Sequence, residues 1–155
     1  MKSTLRPAQA EDAPFLESVY ASTRAAELAA VPWSAEQKAA FCRMQFEAQC
    51  AHYAQHYAAA TQSIIERDGM AAGRLYVNRG AEEIRIVDIA LLPQHRGGGL
   101  GTQHLLALQK EARGAGKALT IHVEKFNPAL RLYERLGFQP IEDKGIHLLM
   151  EWRAA

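Results

Sequence analysis

The chain has 155 residues, of which 48% are hydrophobic and 23% are charged, a composition typical of a soluble globular domain. Its 18 basic and 17 acidic side chains leave a net charge of +1, which argues against a nucleic-acid partner. No apolar run approaches the ~18 residues of a membrane span. The amino-terminal segment also reaches Lys2 and Pro7 too early for a signal peptide. We therefore expect a single domain over residues 1–155, in the cytoplasm, with no nucleic-acid or membrane partner.

The first half of the chain predicts two helices flanked by strands. Ser34, followed three residues later by Gln37, has the pattern of a capping box and indicates a helix start. Asp68-Gly69 marks a turn between two strands. The elements expected here are a strand at 2–6, helices at 11–24 and from 34 to about 57, and strands at 62–67 and 74–78.

The second half predicts a mixed α/β arrangement. The longest strand candidate, 83–92, begins with alternating polarity and ends almost entirely apolar, which indicates burial on both faces towards its end. Asn127 and Gly137 have the positions of an N-cap and of a residue just past a helix end. The expected elements are helices at 101–113, closed by Gly114 and Gly116, and at 127–136, with strands at 118–123, 138–141 and 146–152.

A cluster of glycines follows the long strand and precedes a helix. Glycine adopts positive φ readily and lets the backbone approach a ligand closely. The first turn of the helix has N–H groups without intrahelical partners at the positive end of the macrodipole, which favours phosphate. A loop that only makes tight turns is the alternative. The residues of this candidate anion site are Arg96, Gly97, Gly98, Gly99, Leu100, Gly101 and Thr102.

The spacing of this loop excludes two familiar phosphate motifs. A P-loop needs a Gly-Lys-Ser/Thr run, which the chain lacks. A dinucleotide fingerprint, G-x-G-x-x-G, fails from each glycine of the cluster and normally follows the first strand. Arg96-x-x-Gly99-x-Gly101 instead resembles the R/Q-x-x-G-x-G/A signature of the GNAT acetyltransferases.

A second stretch extends the resemblance. Asn127, Tyr133 and Gly137-Phe138 are similar to the Asn, Tyr and Gly-Phe pattern that follows the next strand in that family. The resemblance covers about Leu5 to Trp152. It implies the GNAT fold, a mixed and mostly antiparallel central sheet with helices on both faces. It also implies an acetyl-CoA-dependent N-acetyltransferase that needs no metal.

The resemblance assigns roles to individual residues. The pyrophosphate of acetyl-CoA would bind the glycine loop, with Asn127 also on the coenzyme. The pantetheine arm would pair with backbone groups near Ile89 and Leu91, between two parted strands. Tyr133 would protonate the leaving thiolate, although its spacing from Ala129 also fits a packing role.

The resemblance implies direct attack by a primary amine of a small molecule or peptide, without a covalent enzyme intermediate. The base that takes the amine proton is left open among Asp88, Glu83, His122 and water. Asp88 is the first to test, because burial between apolar neighbours would raise its pKa. A non-catalytic acetyl-CoA sensor or regulatory module is the alternative function. The oligomeric state is open, with a homodimer as one option because dimers are common in the family.

Three further groups have weaker assignments. Cys42 and Cys50 lie about 12 Å apart along one predicted helix, too far for a disulfide. His52 and His56 stand one helical turn apart, but a solvated helix face is the simpler interpretation than a metal site. Arg24, Glu27 and Trp33 occupy the region that commonly lines the acceptor site in the family, and surface or packing roles fit them equally.

Overall fold

The computed structural model describes residues 2–155, and Met1 lies outside the described residues. Short 3₁₀ turns at Ala10–Asp12 and Pro93–His95 precede two of the helices. The described elements are β1 (Ser3–Pro7), α1 (Ala13–Ala29), α2 (Ala35–His56), β2 (Thr61–Arg67), β3 (Met70–Arg79), β4 (Glu83–Leu91), α3 (Leu100–Ala115), β5 (Ala118–Glu124), α4 (Leu130–Arg135), β6 (Gln139–Asp143) and β7 (His147–Trp152).

The strands form a mixed sheet in the order β1-β2-β3-β4-β5-β7-β6. β1 pairs with β2, β5 with β7 and β6 with β7 in antiparallel register, whereas β4 and β5 run parallel. The predicted class, a mixed α/β fold with a mostly antiparallel sheet, is confirmed.

Local chemistry explains the helix and turn boundaries. Ser34 accepts a hydrogen bond from the Gln37 N–H, and Gln37 reaches back to the Ser34 N–H, so the predicted capping box is present. Asp68 and Gly69 both have positive φ, the geometry of a two-residue hairpin turn. α1 runs five residues past its predicted end, because the alanine-rich segment 25–29 favours helix. α3 ends at Gly116 in the left-handed conformation, with Gly114 still helical.

The last helix is shorter than predicted. α4 begins at Leu130, and its N-cap position is occupied by Ala129 without a side-chain cap. Asn127 caps the preceding turn instead, because its Oδ1 accepts the Ala129 N–H at 2.9 Å and its carbonyl accepts the Leu130 N–H. The predicted helix start at residue 127 was therefore wrong by one turn.

The contacts divide the described chain into two units. The first contains residues up to Leu75 together with Ala90–Arg96, and the second contains Tyr76–Ile89 together with Gly97–Ala155. In the first unit, the core is built by α1, α2 and β2 through Leu16, Tyr20, Phe46 and Ile64. In the second unit, the buried side chains come from β4, β5 and α3 and include Ile84, Ile86, Leu119, Ile121, Leu105 and Leu108.

The carboxyl end of β4 departs from the sequence prediction. We expected this apolar end to be buried on both faces, but residues 87–91 are only half-buried. The reason is that β4 loses its partner β5 before this point. Asp88, expected to be buried, is likewise half-buried. No helix within residues 2–155 is long and apolar enough to cross a membrane.

Candidate active site

The site is built where β4 and β5 part. Their parallel ladder joins Glu83–Ile86 to Ala118–Ile121 and goes no further in the described chain. β5 continues to Glu124 with β7 as its partner. Beyond Ile86, the edge of β4 therefore offers backbone groups to an extended ligand instead of to β5.

The backbone of β4 alternates in direction at this edge. The Leu92 N–H donates to the Ala72 carbonyl of β3 at 2.9 Å. Because successive residues of a strand point to opposite sides in the plane of the sheet, the backbone of Leu91 points away from β3. Its carbonyl accepts a hydrogen bond from Arg96 Nε at 2.9 Å. Ile89, the other predicted coenzyme-binding position on β4, lies beyond the last residue of β4 that pairs with β5.

A small cavity of about 60 Å³ opens in the gap between β4 and β5. It brings together three residues predicted for the site, Ile89, Asn127 and Tyr133. Its remaining lining residues are Val87, Asp88, Ile121, His122 and Val123.

Tyr133 lines this cavity and is otherwise buried. Only 4% of its surface is exposed, and its ring packs edge-on against the ring of Phe138, with the two centroids 5.7 Å apart. Burial raises the pKa of Tyr133 above its ordinary value of 10, and the nearby negative charge of Asp88 raises it further. The phenol therefore keeps its proton at neutral pH and is available as a donor.

The glycine loop has open space around its backbone just before α3. Gly97 and Gly99 have φ angles of 80° and 84°, which only glycine adopts without strain. Gly99 is the N-cap of α3, and no side chain caps this helix. A Cβ added at Gly97, Gly98 or Gly99 would meet no atom within 4 Å. Gly101 and Thr102 lie in the first helical turn, after the buried Leu100, so their amides stand at the positive end of the α3 dipole.

Arg96 is exposed and anchored inside the first unit. Besides the bond to the Leu91 carbonyl, its Nη2 donates to Ser22 Oγ at 3.4 Å. A guanidinium has five N–H donors, so further donors remain for an anion. These contacts hold Arg96 against Leu91 and Ser22, which the sequence pattern did not reveal.

The three base candidates have different surroundings. Glu83 accepts from Thr120 Oγ1 at 2.6 Å and from Arg85 at 3.4 Å, and it is not among the residues that line the cavity. His122 and Asp88 both line the cavity. The His122 Nδ1 lies 3.3 Å from Arg85 Nη1.

Two residues that shape the site were missed. Gly73 of β3 lies against Ala90 and Leu91, where an added Cβ would overlap the Ala90 carbonyl. A glycine beside an apolar strand pattern is the signal of such close approach. Arg85 holds Thr120 and His122 on the neighbouring strand, and only strand register reveals this contact.

The remaining sequence candidates are not among the residues that line the cavity. Arg24 donates to Glu27 at 3.1 Å and stacks on Tyr20, while Trp33 packs edge-on against Phe41. His52 and His56 have ring centroids 4.3 Å apart on α2. Cys42 is a buried free thiol and Cys50 an exposed one.

Comparisons with known proteins place the chain in a family. The model of the acetyltransferase (GNAT) family matches residues 16–138. A Bacillus subtilis protein provisionally named as the ribosomal protein bS18-alanine N-acetyltransferase is 27% identical over 97% of this chain and 95% of its own.

Solved structures show the same fold. The PaiA N-acetyltransferase of Thermoplasma acidophilum in complex with coenzyme A superposes with a TM-score of 0.75 at 18% identity, over 99% of this chain and 100% of that chain. The ribosomal-protein-S18-alanine N-acetyltransferase of Escherichia coli gives a TM-score of 0.64 at 20% identity, over 98% and 94%. With the family match over most of its length, the chain belongs to the acetyltransferase (GNAT) family.

Proposed function

We propose that the protein transfers the acetyl group of acetyl-CoA to a primary amine, by direct attack of the amine while both substrates are bound. The observation that carries this proposal is the parting of β4 and β5 after Ile86, with Tyr133 lining the cavity that results. Holding both reactants in one cleft supplies much of the rate acceleration through proximity.

The residues of the glycine loop fit the diphosphate of the coenzyme. Gly97, Gly98 and Gly99 leave room around their backbone, and the α3 amides have no side-chain cap. These features match an anion cradle at a helix N-terminus. Arg96 adds a positive charge beside the loop, and Thr102 adds a hydroxyl in the first turn of α3.

The edge of β4 fits the extended arm of the coenzyme. Backbone groups of Ile89 and Leu91 would pair with the amides of the pantetheine as an added strand would. The Leu91 N–H would donate to the acetyl carbonyl, a contact typically worth ~3 kcal/mol in oxyanion sites. Asn127 lies at the same cavity beside the turn that leads to α4.

Acetyl-CoA supplies the activated acetyl thioester, and the protein supplies the proton transfers. Tyr133 would donate its phenol proton to the departing sulfur. Asp88 lines the same cavity and would accept the amine proton, directly or through water.

The acceptor is a primary amine of a small molecule or peptide. A peptide α-amine is favoured by the relatives, because two of them are named for acetylating the alanine of ribosomal protein S18. Thiol release from acetyl-CoA should therefore be measured with an amine panel that includes peptides beginning with alanine. Turnover with one amine class supports the enzyme, whereas coenzyme binding without turnover across the panel would indicate a sensor module.

Four expectations from the sequence stay predictions. They are the single domain over residues 1–155, the cytoplasmic location, the homodimer and the independence from metal ions.

A further inference from the structure

A polar network links β4 and β5 just before the two strands part. Arg85 Nε donates to Thr120 Oγ1 at 2.7 Å, and Arg85 Nη1 lies 3.3 Å from His122 Nδ1. The same guanidinium reaches Glu83 at 3.4 Å. Arg85 is therefore held from several directions, and its position towards the imidazole is fixed.

This contact determines where the proton of His122 resides. A guanidinium is always protonated and can only donate, so His122 Nδ1 must accept with its lone pair. The neutral ring then carries its hydrogen on Nε2. Burial lowers the pKa of His122, and the positive charge of Arg85 lowers it further. Lys144 and His147 act in the same direction, while Glu142 opposes them.

The tautomer removes His122 from the base candidates. A base must accept a proton at an unprotonated nitrogen, but Nδ1 is occupied by Arg85 and Nε2 already has its hydrogen. The ring nevertheless lines the cavity. Its remaining function there is to donate a hydrogen bond.

His122 lines the cavity together with three other polar residues, Asp88, Asn127 and Tyr133. The proposed transfer places Tyr133 at the departing sulfur, Asp88 at the amine proton and Asn127 on the coenzyme. His122 is therefore the polar side chain of the lining that is left to hold the acceptor.

We propose that Arg85 holds His122 as the Nε2–H tautomer, and that this N–H binds a carbonyl oxygen of the acceptor. This inference rests on the proposed acetyl transfer. In an α-amino acyl group, only the α-carbon and the carbonyl carbon separate the amine from the carbonyl oxygen. A hydrogen bond from His122 to that oxygen therefore orients the α-amine towards the thioester. Acceptors with an α-amine beside a carbonyl are thereby preferred over simple alkylamines.

The tautomer of His122 can be measured in the absence of substrate. Nitrogen-15 NMR of the full-length protein at neutral pH should show His122 neutral, with hydrogen on Nε2. In Arg85→Met the pKa of His122 should rise, because the positive charge that depresses it is removed. An Nδ1–H tautomer or an imidazolium in the wild-type protein at neutral pH would overturn the inference.

Kinetics test the role of the donor. Alanine amide and isopropylamine both carry a primary amine, but only alanine amide has the carbonyl, which also lowers the pKa of its amine. The ratio of their kcat/KM values is therefore compared between proteins at one pH, so that the difference in amine basicity cancels. His122→Ala should lower this ratio in favour of alanine amide by about three- to tenfold, the effect of one neutral hydrogen bond. His122→Gln should retain the wild-type ratio, since the Gln amide can both accept from Arg85 and donate.

The pH profile separates a donor from a base. His122→Gln should keep the acidic limb of the kcat/KM profile, whereas loss of that limb would identify His122 as the base and contradict the proposal. A ratio of kcat/KM for the two amines that stays unchanged in His122→Ala would also contradict it. Absence of turnover with every amine would count against acetyl transfer itself, while the NMR result would still decide the Arg85–His122 contact.

Discussion

The chemistry of Tyr133 follows from the combination of a buried ring and a nearby negative charge. Both raise the pKa of Tyr133, so the phenol remains protonated through the neutral and mildly alkaline range. A group that must give a proton to a thiolate benefits from being fully protonated before the reaction. We therefore expect no loss of kcat from Tyr133 ionisation between neutral pH and its ordinary pKa of 10.

Removal of the Tyr133 hydroxyl tests its assignment as the proton donor. Tyr133→Phe should lower kcat by about 10²- to 10⁴-fold, the usual contribution of a general acid. The ring packing against Phe138 would persist, so the affinity for coenzyme A should stay within a factor of about two. Thiol release and calorimetric titration measure these two quantities. Tyr53→Phe, which removes a hydroxyl from α2, is the control. Wild-type turnover in Tyr133→Phe would show that Tyr133 has a packing role only.

The glycine loop is tested most sharply at Gly98. Unlike Gly97 and Gly99, Gly98 is outside the positive-φ region, and an added Cβ meets no protein atom within 4 Å. Gly98→Val should therefore leave thermal stability nearly unchanged. It should weaken coenzyme A binding by about tenfold or more, because side-chain atoms would displace charge-assisted hydrogen bonds. Unchanged affinity would remove the pyrophosphate from this loop.

Gly114 supplies the matched control for the loop. It lies within α3, and an added Cβ would meet nothing within 4 Å. Gly114→Ala should raise the free energy of unfolding by up to about 0.5–1 kcal/mol, because alanine loses less backbone entropy in a helix. Coenzyme affinity should not change. A loss of affinity here would show that the assay reports helix stability instead of ligand contact.

At the scale of elements, one carboxylate links β1 to the turn that precedes α1. Asp12 accepts two hydrogen bonds from Arg6, at 2.8 and 2.9 Å, and one from the Gln9 N–H at 2.7 Å. The Arg6 guanidinium lowers the pKa of Asp12 from 3.8 to about 2. This carboxylate therefore stabilises the fold above its ordinary pKa, and the stabilisation is lost as the pH falls towards 2.

Asp12→Asn should flatten this acid dependence. We expect lower stability than wild type at neutral pH and a weaker fall in stability between the two pKa values, measured by urea unfolding at each pH. Glu11→Gln removes an exposed neighbouring charge and should follow the wild-type curve. Parallel curves for Asp12→Asn and wild type would show that the Arg6–Asp12 pair contributes nothing to stability.

The elements that the sequence predicted well are those with local signals. The Ser34–Gln37 capping box and the Asp68-Gly69 turn lie within a few residues of one another, so their chemistry can be read along the chain. The half-exposed end of β4 could not be predicted in this way. Apolar residues there suggested burial, but the departure of β5 depends on pairing between distant segments.

At the scale of the whole molecule, binding of the coenzyme should stabilise the native state. A ligand at one hundred times its dissociation constant adds about 2.7 kcal/mol. For a chain of this size, we expect the melting temperature to rise by roughly 5–10 °C. Thermal unfolding with acetyl-CoA measures the shift, and the same concentration of ATP or NAD is the control. A larger shift with ATP or NAD would indicate a different ligand class.

The candidate site was proposed from a family resemblance that short motifs carry, and its residue roles stay predictions. The glycine loop and the stretch from Asn127 through Tyr133 to Phe138 are those motifs. Two sets of contacts could not be predicted from the sequence. In one, Arg96 bonds to Leu91 and Ser22, and in the other, Arg85 contacts His122. Both contacts join residues that only the folded sheet and helices bring together, and periodicity contains no information on them.

The outermost strand, β6, has a consequence for how copies of the protein meet. All five of its residues are exposed, yet Pro140 lacks an N–H, the pairing with β7 is irregular between Pro140 and Glu142, and acidic groups follow. Such features obstruct the addition of a foreign strand at a sheet margin. Concentrated solutions should accordingly resist fibril growth from this margin, and self-association would have to use the opposite edge strand, β1, or helix and loop surfaces.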